Sequence, residues 1–180
     1  YEDLRKTSLE HMLEIDFDGY AIGGLGLGEG QSKTYEITEK ICSMLPVDKP
    51  RYSMGIGKPE DIVNSVELGV DIFDCVVPTR NARNGTLYTK DGKINIKNSI
   101  YNMSDKLIDE DDEEHPCSDY SLGYIRHLYT SKEISALSLM TMNNLYFYKQ
   151  LIESIKKSIK DGKFIDFKRS FLERYENESN

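Results

Sequence analysis

The chain has 180 residues, a formal net charge of −8, 38% hydrophobic and 30% charged residues, the proportions of a globular protein large enough for a respectable core. No run of about 18 apolar residues occurs, which excludes a helical membrane span, and the polar start Tyr1-Glu2-Asp3-Leu4-Arg5 carries no signal-peptide apolar region. Cys42, Cys75 and Cys117 are an odd number lying far apart, which argues against a disulfide framework and for a reducing, cytoplasmic setting.

Over the first 80 residues, short apolar runs alternate with helical periodicity, the pattern of βα units that carry a parallel sheet. Leu9, Met12 and Leu13 form the apolar side of a helix ending near Glu14, and Asp18 to Ile22 reads as a strand terminating at Gly23-Gly24. Thr34, Ile37, Ile41, Met44 and Leu45 recur on one helix face. Pro46 and Pro50 break that helix, Arg51 to Ile56 gives a second strand, and Pro59 opens a helix that Gly69 closes. Val70 to Val77 is the third expected strand, with a Pro/Arg/Gly loop behind it.

Beyond residue 80 the pattern changes. Gly85 to Ile96 alternates around Asp91-Gly92, a β-hairpin signal. Asp109 to Glu114 is an acidic run, most simply an exposed loop. Leu145, Tyr148, Ile152, Ile155 and Ile159 follow a 3, 4, 3, 4 spacing, so a long amphipathic helix is expected from about Ser131 to Asp161, with Gly162 ending it. A shorter helix then carries Phe164, Phe167, Phe171 and Leu172. Between Pro78 and Asn98, Arg80, Arg83, Lys90, Lys93 and Lys97 face the single acid Asp91, a basic patch on an acidic body. Such a patch fits a phosphate footprint and equally an ordinary solvated hairpin.

Three stretches carry chemistry. Asp74-Cys75-Val76-Val77-Pro78-Thr79-Arg80, running on into Asn81-Ala82-Arg83-Asn84-Gly85, puts a carboxylate at the end of a strand, where α/β barrels place catalytic groups. Gly19 to Leu25 ends a strand in two glycines, which let backbone groups approach a flat heterocycle closely. Arg51 to Pro59 contains Gly55-Ile56-Gly57-Lys58-Pro59-Glu60-Asp61, a strand-to-helix turn with free N–H groups at a helix start, suited to phosphate. The run Gly23 to Gly30 is not a dinucleotide fingerprint, because neither its spacing nor its following helix fits. Standing alone, Asp74 reads as a turn cap and Met54 as core packing.

Together these motifs resemble the bacterial-type tRNA-guanine transglycosylases, also called queuine tRNA-ribosyltransferases, without gaps from about Leu4 to Tyr175. The resemblance implies the C-terminal part of a TIM (β/α)8 barrel, its last three strand-helix units, followed by a hairpin and a helical subdomain. Residues 1–98 would be the partial barrel and 99–180 the subdomain. Three units cannot close a barrel that needs eight strands, so the N-terminal half of the barrel is implied as a missing partner. The family's second aspartate, its acid/base, would lie upstream of Tyr1.

By the same resemblance, Asp74 is the nucleophile that attacks ribose C1′ of the wobble guanosine and releases guanine, as a retaining glycosidase traps its sugar. Gly23, Gly24 and Leu25 would hold the base and Met54 would stack on it. Gly55, Ile56, Gly57, Lys58, Pro59, Glu60 and Asp61, with Thr79, Arg80, Asn81, Ala82 and Arg83, would contact the tRNA anticodon loop. Arg80 and Arg83, three apart on a loop, suit bidentate phosphate clamping, and the target base would be flipped out. Leu27 stands where the eukaryotic enzymes have a small residue, favouring preQ1 over queuine as the incoming base, in a pathway of queuosine biosynthesis.

The chain departs from the family at its structural zinc. The Cys-x-Cys-x-x-Cys cluster and later histidine align with Asp112, Glu114, Cys117 and Asn143. Only Cys117 of that ligand set remains, so no cofactor and a degenerate zinc site are expected. His115, Cys117 and Asp112 are the side chains open to adventitious metal, and His11 and His127 are expected to be ordinary surface or packing residues. The isolated chain is expected to be inactive. The competing reading is a non-catalytic tRNA-binding or dimerisation subunit of the same family, with a homodimer as a further partnership left open.

Overall fold

The computed structural model describes residues 1–177, with side chains through Tyr175. It divides into two compact units, Tyr1–Val76 and the residues from Val77 onward.

The first unit alternates helix and strand: α1 (Glu2–Ile15), β1 (Tyr20–Ile22), α2 (Gln31–Met44), β2 (Arg51–Met54), α3 (Pro59–Glu67) and β3 (Ile72–Asp74). The strands form one sheet in the order β1-β2-β3, both pairings parallel, with Ile22 opposite Ser53 and Met54 opposite Asp74. Helical connections are what parallel neighbours require. Ile22, Leu25, Cys42 and Val70 form one core cluster, and Leu9, Tyr20 and Leu45 another. Arg51 ties the connections together: its guanidinium donates to the carbonyls of Leu45, Pro46 and Gly69. β2 stops at Met54, two residues earlier than expected, because Gly55 takes a φ of 78° that no strand residue adopts.

The second unit consists of α4 (Val77–Arg83), the antiparallel hairpin β4 (Thr86–Thr89) and β5 (Gly92–Asn95), a 3-10 turn (Ser99–Tyr101), α5 (Leu122–Thr130), α6 (Ile134–Lys160) and α7 (Phe164–Asn177). Its core gathers Ala82, Leu87, Ile96, Leu122, Ile125 and Met140. A run of rings joins the C-terminal helices to the hairpin: Phe167 on Phe171, Phe171 on Tyr175, Tyr175 on Phe147 and Phe147 on Tyr88, centroids 5.1–6.1 Å apart.

Other expectations change as well. The third strand does not reach Val77. Val77–Arg83 is helical, since Pro78 in a first turn costs no hydrogen bond and its fixed φ suits a helix. The division falls between Val76 and Val77 rather than at residue 98, because α4 and the hairpin are fastened to α6. Asn144 donates to the carbonyls of Pro78 and Thr86 and accepts from the Tyr88 amide. The long helix expected from about Ser131 to Asp161 is α6, which begins at Ile134 because Lys132 turns into the left-handed region; α5 before it was not anticipated.

The buried face of α6 is also rotated from the apolar stripe. Leu145 and Ile159 are half exposed, and the core side is Ala136, Met140, Asn143, Asn144, Leu151 and Ile155. The two buried asparagines hold backbone groups that would otherwise lack partners.

Candidate active site

Parallel strands in register end on one edge, and here that edge carries all three motifs of the first unit. Gly23-Gly24-Leu25 follows β1, Met54-Gly55 closes β2, and Asp74 is the last residue of β3. At a strand spacing of about 4.8 Å, the ends of β1 and β3 stand about 10 Å apart with β2 between them. The C-terminal edge of a parallel sheet is where such folds bind ligands.

Asp74 is exposed, and its Oδ1 accepts two hydrogen bonds, from the Tyr52 hydroxyl at 2.6 Å and the Gly55 amide at 3.0 Å. The Tyr52 bond first, then the Gly55 amide, holds the carboxyl below the usual carboxylate range. The same carboxylate pushes the Tyr52 hydroxyl up, which keeps it a donor. Oδ2 accepts from no other residue among those described. The arrangement is an ionised carboxylate with one oxygen anchored and one presented.

The turn after β1 is fixed from both sides. Arg5 donates to the carbonyls of Gly23 and Gly24, at 3.0 and 2.9 Å. Glu29 accepts from the amides of Gly26 and Leu27 and from the Thr34 hydroxyl. Hydrogen bonds from its own backbone amide, from Thr34 and from Gly26 lower the Glu29 carboxyl to about 2. Neither Arg5 nor Glu29 stands out in sequence, because both bind backbone groups whose positions only the turn defines. Leu25 itself is buried in the core, so the turn offers its backbone outward, while Leu27 is 85% exposed. Met54 is half exposed beside Gly55, available to a ring face.

The loop into α3 divides. Ile56, Gly57 and Pro59 are buried, and Glu60 is half-buried. Asp61 accepts from Gln31 and from the Tyr35 hydroxyl, tying α2 to α3. Lys58 is the exposed cation there, at the N-cap of a helix with no side-chain cap on its first amides.

In the second unit Arg80 and Arg83 are exposed one turn apart on α4, on one helix face. Ala82 is fully buried, Asn81 donates to the Tyr88 hydroxyl at 2.6 Å, and Thr79 is half-buried. Of the five hairpin-region cations, Lys90 is bound to Asp109 and Asp111, and Lys93 lies over the Tyr175 ring. Arg80, Arg83 and Lys97 make no ion pair among the described residues.

The residues aligned with the zinc ligands do not fit a metal. His115 is buried, its Nε2 pairing with the Asn143 side-chain oxygen at 3.1 Å and its Nδ1 accepting from the Cys117 amide at 3.1 Å. Cys117 points its thiol at the Leu139 carbonyl, and burial pushes that thiol up to about 11. Asp112 accepts from the Tyr146 hydroxyl, and Glu114 is exposed. No cluster of three His, Cys, Asp or Glu side chains among the described residues is arranged to hold a metal ion. Burial of His115 is invisible in sequence, where it stands only as a side chain open to adventitious metal beside an acidic run.

A parallel sheet flanked by helices, with an anchored carboxylate and a glycine turn at its C-terminal edge, defines the class as a mixed α/β fold with a candidate ligand site at that edge. The family model for queuine tRNA-ribosyltransferase matches residues 1–177, and the chain belongs to that family. It is 46% identical over 174 residues to the queuine tRNA-ribosyltransferase of Aeromonas hydrophila, covering 97% of this chain and 46% of that protein. The corresponding proteins of Aquifex aeolicus and Fusobacterium nucleatum are each 46% identical, over 179 and 178 residues, covering 98% of this chain and 47% and 48% of theirs. The chain thus spans about half the length of the curated relatives it matches. No helix among the described residues is long and apolar enough to cross a membrane.

Proposed function

We propose that these residues supply the nucleophile and part of the RNA-contact surface of a tRNA-guanine exchange enzyme, as the last three strand-helix units of a barrel whose other strands lie in the rest of a longer protein. The observation that carries this reading is the Asp74 carboxylate, ionised and half-anchored at the sheet edge beside a glycine turn. Its free oxygen attacks ribose C1′ as the C1′–N9 bond of the wobble guanosine breaks. The bonding pair leaves on guanine N9, and guanine takes up a proton from an acid outside this chain. The incoming 7-deazaguanine, preQ1 in this reading, then attacks C1′ through its ring nitrogen, loses its proton to a base outside this chain, and displaces the carboxylate.

Gly23, Gly24 and Leu25 would border the base through their backbone, with Met54 against its face. Lys58, Arg80 and Arg83 would meet anticodon-loop phosphates. The remaining members of both loops, Gly55, Ile56, Gly57, Pro59, Glu60, Asp61, Thr79, Asn81 and Ala82, act chiefly by shaping the backbone that presents these cations. The setting would be the cytoplasm, where tRNA is found. The second unit would fold without zinc, the His115–Asn143 pair and the ring stack taking over the tether. In an exchange assay, a longer protein containing these residues should incorporate labelled guanine into tRNA, whereas its Asp74→Asn variant and the 180-residue chain alone should not. Turnover by the chain alone would overturn the site assignment.

A further inference from the structure

Arg83, Lys97 and Lys132 line one cavity of about 470 Å³ in the second unit, together with Tyr129 and Glu133. The three cations come from separate places in the sequence: the end of α4, the residues after β5, and the left-handed turn between α5 and α6. All three are exposed, and none makes an ion pair among the described residues. Glu133 is the one carboxylate on the wall and is exposed as well.

The cavity is held in shape by Tyr129. Its hydroxyl donates to the Arg83 carbonyl at 3.2 Å, and the Lys97 ammonium sits over its ring, 5.7 Å from the centroid. A tyrosine half-buried between a helix end and a hairpin exit thereby fixes two of the cationic side chains' origins. The third, Lys132, is fixed by its backbone: its amide donates to the Tyr129 carbonyl, and the next amide, of Glu133, donates to Leu128. In a chain of net charge −8, three unpaired cations around one concave surface leave a positive field that an external anion can satisfy.

We propose that this cavity is a seat for RNA phosphodiester groups, formed by Arg83, Lys97 and Lys132 around Tyr129. The identification of the anion as RNA rests on the exchange reading above; the seat itself rests on the cavity and its unpaired cations. It recognises phosphate rather than a base, so it adds affinity and positioning without sequence preference. Arg83 belongs both to α4 and to this cavity, which makes the seat continuous with the proposed contact face of α4.

The test is the salt dependence of binding between the 180-residue chain and a fluorescein-labelled tRNA anticodon stem-loop, read by anisotropy. Against the parent, Lys97→Gln/Lys132→Gln should bind more weakly, and its log–log salt slope should fall by about 1.4 to 1.8, the loss of two phosphate contacts. The control is Lys160→Gln/Lys163→Gln, which removes equal charge from the far end of α6, about 40 Å along that helix. It should leave the slope unchanged. Equal slopes for parent and cavity variant would overturn the proposal, as would absence of binding by the parent at low salt, or equal losses in both double variants. The exchange chemistry is read separately, by adduct formation at Asp74 in the longer protein. Cavity-dependent binding without an adduct would remove the exchange reading and keep the seat, while an adduct with unchanged slopes would do the reverse.

Discussion

At Asp74, two hydrogen bonds decide how the carboxylate behaves. The Tyr52 hydroxyl and the Gly55 amide both stabilise the ionised form, and the lowered carboxyl follows from them in that order. With its value depressed, Asp74 stays ionised as pH falls until the lowered value is crossed. Removing the Tyr52 hydroxyl raises it toward the ordinary carboxylate range. In a longer, active protein, Tyr52→Phe should therefore move the acid limb of the adduct-formation profile to higher pH, with the alkaline side unmoved by this change. An acid limb that stays in place would show that Tyr52 does not set the Asp74 charge. The place of Asp74 at a strand end was legible in sequence from its position after an apolar run and before Pro78. Tyr52 was not, because its role depends on a neighbouring parallel strand that brings residues 22 apart together. Arg5 and Glu29 escaped for the same reason, their partners being backbone atoms of a turn.

Among the elements, hydrophobic period located the three strands and the helices around them, since a parallel sheet buried by helices leaves strong apolar runs. It failed where polar residues occupy the core. Asn143 and Asn144 are buried on α6 and bind backbone groups of β4 and α4, so a stripe counted from apolar residues alone came out rotated toward Leu145 and Ile159. The α4 helix was missed because a Pro-containing segment after a strand reads as a loop, although Pro is tolerated in a first helical turn. Asn144→Ala would strand the Tyr88 amide and the carbonyls of Pro78 and Thr86, and should cost about 3 kcal/mol in urea unfolding of the chain. A loss under about 0.5 kcal/mol, the size of an ordinary surface change, would mean these bonds do not fasten the hairpin to α6. The polar pairing at His115 also bears on metal. Purified chain should carry well under one zinc per molecule by elemental analysis, and chelator should leave its unfolding midpoint unmoved. Stoichiometric zinc with a chelator-sensitive midpoint would show that Cys117 and His115 ligate a metal after all.

For the whole molecule, the first unit is three helix-strand repeats with the Asp74 carboxylate at the sheet edge, and the second is a helical unit bearing cations on α4 and around Tyr129. The chain covers about half of its relatives' length, and the proposed chemistry needs an acid and a base that these residues do not supply. In sequence, three strand-helix units counted against the eight of a closed barrel give the expectation of a longer protein, and the relatives' greater length agrees with it. The boundary between units was not, since it depends on hydrogen bonds from residue 144 back to residues 78 and 86. The proposed exchange requires Asp74 to bond covalently to the ribose of the target nucleotide. Trapping the intermediate in a longer protein containing these residues, with an anticodon stem-loop bearing a wobble guanosine, then digesting and mapping the cross-linked peptide by mass spectrometry, tests it directly. A ribosyl adduct is expected on the peptide at Asp74, and none on the Asp74→Asn variant. An adduct mapped to another residue, or one that survives the substitution, would contradict it.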